Sequence, residues 1–97
     1  MSFEIRYHEA VVSQDIPKLS QKWRDVIKNA IEKKLTSNPE VFGKPLRHSL
    51  KGYRKLRVGD YRVVFYIERE TVKVLAIQHR SVVYKILKKR IKEKPLP

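Results

Sequence analysis

Residues 53–67 read YRKLRVGDYRVVFYI, and this stretch decides the fold class. Tyr53 to Val58 has the residue types of a strand, and Gly59-Asp60 is typical of a tight turn between two strands. The run from Tyr61 to Ile67 is nearly all apolar, as expected of a central strand covered on one face and partly on the other. The sequence therefore predicts an antiparallel hairpin inside a sheet.

The chain downstream of this hairpin continues the sheet and then leaves it. Glu68-Arg69-Glu70 predicts a turn, and Val72 to Gln78 predicts a third antiparallel strand of the same meander. After His79-Arg80-Ser81, the residues from Val82 to about Lys92 predict a short basic helix. We expect one domain over residues 1–92 and a flexible tail over residues 93–97, because the two prolines of the tail cannot continue a helix.

The chain upstream of the hairpin is mainly helical. Phe3, Ile5 and Tyr7 alternate with charged residues, which predicts a half-buried strand. A helix is expected over about residues 9–18, and a second helix is expected to begin after Ser20, whose hydroxyl is a suitable N-cap. Its apolar residues recur every four positions until Pro39 ends it. The predicted order is β-α-α-β-β-β-α. It describes a small single α+β domain with an N-terminal strand, a helical hairpin on one face of the sheet, a three-stranded antiparallel meander and a short C-terminal helix.

The net charge of the chain is +13 over 97 residues, and it is distributed unevenly. Residues 1–43 contain seven basic and six acidic residues, whereas residues 44–97 contain sixteen basic and four acidic residues. A charge of this size opposes folding by self-repulsion, so it predicts a polyanionic or strongly acidic partner for the second half of the chain.

Composition also excludes several classes of protein. Cysteine is absent, which excludes disulfide scaffolds, thiolate zinc sites and thiol catalysis, and fits a reducing cytoplasm. No apolar run approaches the length of a membrane span, so no membrane partner is expected. The N-terminus MSFEIRYHEA lacks the basic and apolar regions of a secretory signal.

Two segments, LKGYRKLRVGDYRVVF at residues 50–65 and IQHRSVVY at residues 77–84, resemble toxins of the RelE/ParE superfamily. The resemblance implies a bacterial or archaeal toxin of a type II toxin–antitoxin system, encoded beside its antitoxin. In the RelE branch it implies a ribosome-dependent endoribonuclease, or mRNA interferase, that cuts messenger RNA in the A site and inhibits translation. The implied cleavage uses the 2′-hydroxyl of the RNA itself and requires no metal ion or other cofactor.

The residues present suit such a reaction in their chemistry. Lys55 and Arg57 are two apart and share one face of their strand, Arg62 begins the next strand, and Arg80 closes the third. Tyr84 follows Arg80 by four residues, a spacing that places both on one side of a helix. Cations near a phenol favour the phenolate, and cations also offset charge that develops on a reacting phosphate.

These observations, with the family resemblance, predict a role for each residue. We expect Tyr84 to be the general base, Arg80 to stabilise the reacting phosphate and the leaving oxygen, and Lys55 and Arg62 to hold the scissile phosphate. Further RNA contacts are expected from Arg57, Arg54, His79 and Lys85. The best-known RelE pattern has two lysines on this hairpin strand, and here Tyr53 stands opposite the first of them.

Alternative interpretations stay open from the sequence alone. Arg62 is also suited to cap a strand and pair with Asp60 or Glu68, Tyr84 to pack in the core, and His79 to a structural role. The basic run at residues 85–92 fits either RNA binding or a solvated helix face. At the level of function, the alternatives are a ParE-like inhibitor of DNA gyrase and a non-catalytic RNA- or ribosome-binding module. The expected partners are the ribosome with its message and a cognate antitoxin that is partly acidic and has an amphipathic helix.

Overall fold

The predicted hairpin lies inside a five-stranded sheet in the computed structural model, which describes residues 2–93. The strands are β1 (Glu4–Tyr7), β2 (Lys44–Pro45), β3 (Arg54–Val58), β4 (Tyr61–Glu68) and β5 (Thr71–His79). Their spatial order is β1-β5-β4-β3-β2, with β1 parallel to β5 and the other pairs antiparallel. The predicted α+β class and meander are confirmed. The two-residue β2 was not predicted, because a proline-containing segment this short has no strand periodicity and is tolerated only at a sheet edge.

The helices follow the predicted order, with two short additions, one of which is a 3₁₀ turn at His48–Leu50. A π-helical stretch, Val11–Asp15, leads into α1 (Ile16–Lys18), and α2 (Gln21–Ala30) continues as a π-helical stretch, Ile31–Leu35. One further turn of helix, α3 (Pro39–Phe42), precedes β2, and α4 (Val83–Glu93) ends the described chain. The Ser20 hydroxyl accepts the Trp23 N–H at 3.4 Å, which confirms the predicted N-cap of α2. Pro39, which ends the helical hairpin, also starts α3, since a proline is favourable in the first turn of a helix.

The sheet separates two apolar cores. The larger core lies between the sheet and the helical hairpin, with Val11, Ile27, Leu35 and Phe65 among its fully buried members. The smaller core lies on the opposite face, where α4 covers the meander, and its buried residues are Leu50, Tyr53, Val64, Leu75, Ala76, Val83 and Leu87. Burial of this apolar surface on both faces holds α4 and the central strands together.

The predicted tail lies outside the described residues from position 94 onward, and Glu93 is the last residue of α4. Within residues 2–93, no helix has the length and apolar character that crossing a bilayer requires.

Tyr53 gives the fold a predictable sensitivity to alkaline pH. Burial in the smaller core, and to a lesser extent the neighbouring Tyr66, raises the pKa of the Tyr53 phenol above its usual value. The native state therefore holds this proton more tightly than the unfolded state. The stabilisation is complete below the unfolded pKa of about 10 and is lost as pH rises through the folded pKa. In urea titrations between pH 8 and 11, we expect Tyr53→Phe to lose less stability than the wild-type chain. Equal losses would contradict this assignment.

Candidate functional site

An open cleft of about 460 Å³ lies where the ends of the central strands meet the first turn of α4. Its lining side chains are Lys55, Arg62, His79, Arg80, Ser81 and Tyr84. β3 supplies the lysine, β4 supplies Arg62, β5 ends at His79, and α4 supplies the tyrosine. The four residues predicted as catalytic thus meet at one place.

Lys55 and Tyr84 face each other across the cleft. The Lys55 Nζ lies 5.9 Å from the centroid of the Tyr84 ring, within the range of a cation–π contact. The ring is half-buried and packs against the smaller core, while the same side chain lines the cleft. The two interpretations of Tyr84, core residue and cleft residue, therefore both describe its position.

Arg62 is positioned by the hairpin that precedes it. Its Nη1 donates to the carbonyl of Gly59 at 3.0 Å and to the carbonyl of Tyr61 at 2.8 Å. The acidic residues considered as its partners lie elsewhere, because Asp60 faces Arg80 and Glu68 pairs with Lys73. The guanidinium is thus held by neutral carbonyl groups, and its positive charge stays available to an anion.

Arg80 is placed by the loop after β5 and not by a helix. The Arg80 N–H donates to the Asp60 carbonyl at 2.8 Å, and its Nε lies 3.6 Å from the Asp60 carboxylate. The predicted helical spacing between Arg80 and Tyr84 does not apply, because α4 begins at Val83. The side chains nevertheless line one cleft, because the bond to Asp60 ties this loop to the turn between β3 and β4.

His79 and Ser81 form a local motif at the rim of the cleft. The Ser81 N–H donates to His79 Nδ1 at 3.2 Å, and the Ser81 Oγ lies 2.8 Å from the same nitrogen. Because a backbone N–H can only donate, the neutral ring carries its proton on Nε2. The ring also lies edge-on to Tyr61, with 6.0 Å between centroids. Ser81 was not predicted to belong to the site, although a serine hydroxyl two residues after a histidine is a recognisable turn signal.

Three predicted RNA contacts lie outside the lining of the cleft. Arg54 is on the opposite face of β3, where its Nη1 donates to the Gly43 carbonyl at 2.9 Å and ties the α3–β2 segment to the sheet. Arg57 is exposed directly opposite Arg62 in the strand register, an arrangement of like charges that costs stability and favours an anion nearby. Lys85 is exposed on α4, next to Tyr84.

The cleft combines three cationic side chains with a phenol, an imidazole and a hydroxyl. Such a set can bind an anion at several points, stabilise added negative charge and exchange a proton. No group of three or more histidine, aspartate or glutamate side chains that could hold a metal ion occurs in the described part of the chain.

Comparison with known proteins gives consistent matches. The model of the family described as ParE toxin of the type II toxin–antitoxin system parDE matches residues 6–84. Toxin RelE of Mycobacterium tuberculosis (strain ATCC 25618 / H37Rv) is 34% identical over 91 residues, covering 89% of this chain and 94% of the relative. Toxin RelG of the same organism is 40% identical over 53 residues, covering 53% of this chain and 61% of the relative.

Solved structures match the fold over most of the chain. The toxin–antitoxin complex RelBE2 from Mycobacterium tuberculosis matches with a TM-score of 0.73 and 28% identity, covering 82% of this chain and all of that chain. The RelB–RelE antitoxin–toxin complex from Methanococcus jannaschii matches with a TM-score of 0.66 and 21% identity, covering 84% of this chain and 96% of that chain. The second match shows a shared fold only.

Proposed function

This chain belongs to the ParE toxin family of type II toxin–antitoxin systems, within the RelE/ParE superfamily, and we propose that it is a ribosome-dependent endoribonuclease that cleaves messenger RNA in the A site. The observation that carries the proposal is the cleft that gathers Lys55, Arg62, Arg80 and Tyr84. RNA carries a negative charge at every phosphate, so cations converging from two strands and a loop suit one linkage of its backbone.

The proposed reaction is a transesterification within the message. Tyr84, as phenolate, takes the proton of the 2′-hydroxyl while the 2′-oxygen attacks the adjacent phosphorus. Lys55 and Arg62 hold the phosphate oxygens and offset the charge that builds on them. The bond from phosphorus to the 5′-oxygen breaks, Arg80 gives a proton to that oxygen, and the products are a 2′,3′-cyclic phosphate and a 5′-hydroxyl end. A proton returning from Tyr84 through water restores Arg80.

We assign the remaining cations to binding. Arg57 lies beside Arg62 in the register and extends the positive surface from the cleft along the sheet. The exposed lysines of α4, Lys85 among them, extend it along the helix. A surface of this kind steers encounter with a polyanion such as the ribosome and makes the affinity fall as salt concentration rises.

The proposal includes a cognate antitoxin and a cytoplasmic site of action. The matched RelBE2 structure is a complex of a toxin with its antitoxin, which supports an antitoxin partner for this chain. An acidic segment that covers the cleft would oppose its charge and exclude the message. Ribosomes translating a message are found in the cytoplasm, so activity is expected there.

Primer extension on a translated message tests the proposed reaction. We expect cuts in phase with the codons when the purified toxin is added to ribosomes that translate a defined message. We also expect the cuts to disappear when translation is blocked at initiation or when excess antitoxin is present. An unbroken message in all of these reactions would overturn the proposal.

A second candidate function is inhibition of DNA gyrase. The observation that favours it is the family match itself, since the matching family is described by the ParE toxin. The two functions differ in their product, because gyrase inhibition leaves DNA breaks that depend on gyrase and leaves the message whole. A DNA cleavage assay with purified gyrase, run beside the primer extension, therefore separates them.

A further inference from the structure

A buried ion pair links the C-terminal part of α4 to the π-helical stretch before α1. Asp15, in the π-helical stretch before α1, is 1% exposed, and Arg90, in the last turns of α4, is 9% exposed. Arg90 Nη1 donates to Asp15 Oδ2 at 2.8 Å, and Arg90 Nη2 donates to Asp15 Oδ1 at 2.5 Å. Arg90 belongs to the basic run at residues 85–92, for which the sequence predicted a solvated or an RNA-binding face. The structure corrects this for Arg90, because its side chain points inward.

The same two side chains also hold β5. Arg90 Nη1 donates to the Leu75 carbonyl at 2.9 Å, while Asp15 accepts the Ile77 N–H at 2.8 Å and the Gln78 Nε2 at 2.5 Å. The Asp15 carboxylate thus accepts four hydrogen bonds. A bidentate Arg–carboxylate interaction with these additional hydrogen bonds fixes the position and the orientation of both side chains.

The place on β5 where these bonds are made is irregular. The register of β4 with β5 shifts between Val64 and Phe65, whose partners are Ala76 and Val74, so that Leu75 is an extra residue. β1 pairs only with residues 71–74, so in the described part of the chain β5 has no strand on that side beyond Val74. The Asp15–Arg90 pair hydrogen-bonds backbone groups of β5 that a longer β1 would otherwise bond. The two side chains come from two different helical segments.

This pair is close, along rigid elements, to two residues of the cleft. Arg90 follows Tyr84 by six residues of one helix, about 9 Å at 1.5 Å per residue. Ile77 precedes His79, the last residue of β5 and part of the cleft lining, by two residues, about 7 Å at 3.3 Å per residue, and Arg80 follows directly. A shift of α4 against β5 at the pair therefore moves the Tyr84 phenol relative to Arg80, and a misplacement of about 1 Å can cost about 100-fold in rate.

We propose that Asp15 and Arg90 are positioning residues for the reaction in the cleft, because their buried bond sets where α4 presents Tyr84. This inference rests on the proposed endoribonuclease activity. Neither side chain lines the cleft, so neither is a catalytic residue. Their effect on the reaction passes through the position of α4.

The test uses two variants that keep most of the buried volume. Arg90→Lys keeps the positive charge and loses the planar pair of donors, while Asp15→Asn keeps the shape and loses the negative charge. Asp25→Asn is the matched control, because the Asp25 carboxylate accepts one exposed hydrogen bond, from Gln21 Nε2, within α2. Each protein is added in excess to ribosomes that carry a defined message, and the cleavage rate is measured against toxin concentration.

We expect Arg90→Lys and Asp15→Asn to lower the cleavage rate at saturating toxin by about 10- to 100-fold. The toxin concentration that gives half of this rate should change by less than about threefold, because the exposed cations that bind RNA are untouched. Asp25→Asn should match the wild-type chain. A change only in the half-saturating concentration would overturn the inference.

A second arm asks whether the effect passes through Tyr84. When Arg90→Lys is added to Tyr84→Phe, we expect less than about a twofold further loss, since the group being positioned is already absent. A full additional loss would mean that the pair acts on another part of the protein, and the inference would fail.

A third arm needs no RNA and keeps the inference separate from the proposed function. Amide hydrogen exchange in Arg90→Lys should accelerate in α4 and leave α2 unchanged. Unchanged exchange in α4 would overturn the positioning role even if the variant cleaves poorly. If the wild-type chain cleaves no message, the proposed function fails, and exchange in α4 alone decides whether the pair fixes this helix.

Discussion

Tyr84→Phe should lower the rate of message cleavage on the ribosome by at least about 100-fold, since removal of a general base typically costs 100- to 10,000-fold. The substitution deletes one oxygen and keeps the ring, which packs against the smaller core and faces Lys55. The fold and the cation–π contact should therefore survive, and the loss should appear in the rate and not in ribosome binding.

The matched control for this experiment is Tyr66→Phe. Tyr66 also packs against the smaller core, but it belongs to the middle of β4 and contacts Lys73 instead of the cleft. Its substitution should leave cleavage near the wild-type rate. If Tyr84→Phe cleaved as fast as Tyr66→Phe, the phenol would have no part in proton transfer and the mechanism would need another base.

The largest effect on stability is expected from Asp15→Ala. Removing one partner of a buried ion pair typically costs about 3–5 kcal/mol, because the other charge is left in a medium that solvates it poorly. Small domains unfold with a total free energy of about 5–15 kcal/mol, so this single change should remove a large fraction of it. Urea titration followed by circular dichroism at neutral pH measures the difference.

The double variant Asp15→Leu with Arg90→Met distinguishes lost charge pairing from lost packing. Apolar replacement of both partners often restores stability, so it should recover part of the loss seen in Asp15→Ala. Recovery should be incomplete, because the Leu75 carbonyl and the Ile77 N–H lose their partners. If Asp15→Ala lowered the free energy of unfolding by less than about 1 kcal/mol, the pair would not act as a buried charge pair.

Local sequence patterns were sufficient to predict most of the secondary structure. The alternation around Ile5, the four-residue apolar spacing of the helical hairpin and the Gly59-Asp60 turn each report the conformation of a few neighbouring residues. The same patterns place Lys55 and Arg62 on adjacent strands of one hairpin, because a tight turn sets the register of its two strands.

Side-chain partners were harder to predict wherever they are distant in sequence. Arg90 is one of several basic residues in the run at 85–92, and nothing local marks it as the one that faces a carboxylate 75 residues away. Arg54 and Lys55 are adjacent and both positively charged, and the structure separates them because successive residues of a strand face opposite sides of the sheet.

Residue types and contacts between near neighbours were enough to predict the α+β class, the meander and the basic second half, and the resemblance of two short segments indicated the family. Only long-range packing shows that the N-terminal strand joins β5 in parallel, that the cleft includes Ser81, and that Asp15 and Arg90 meet in the interior. The physical reason is that such contacts depend on how a bulge, a strand end and two helices pack together, and no short stretch of the chain carries that geometry.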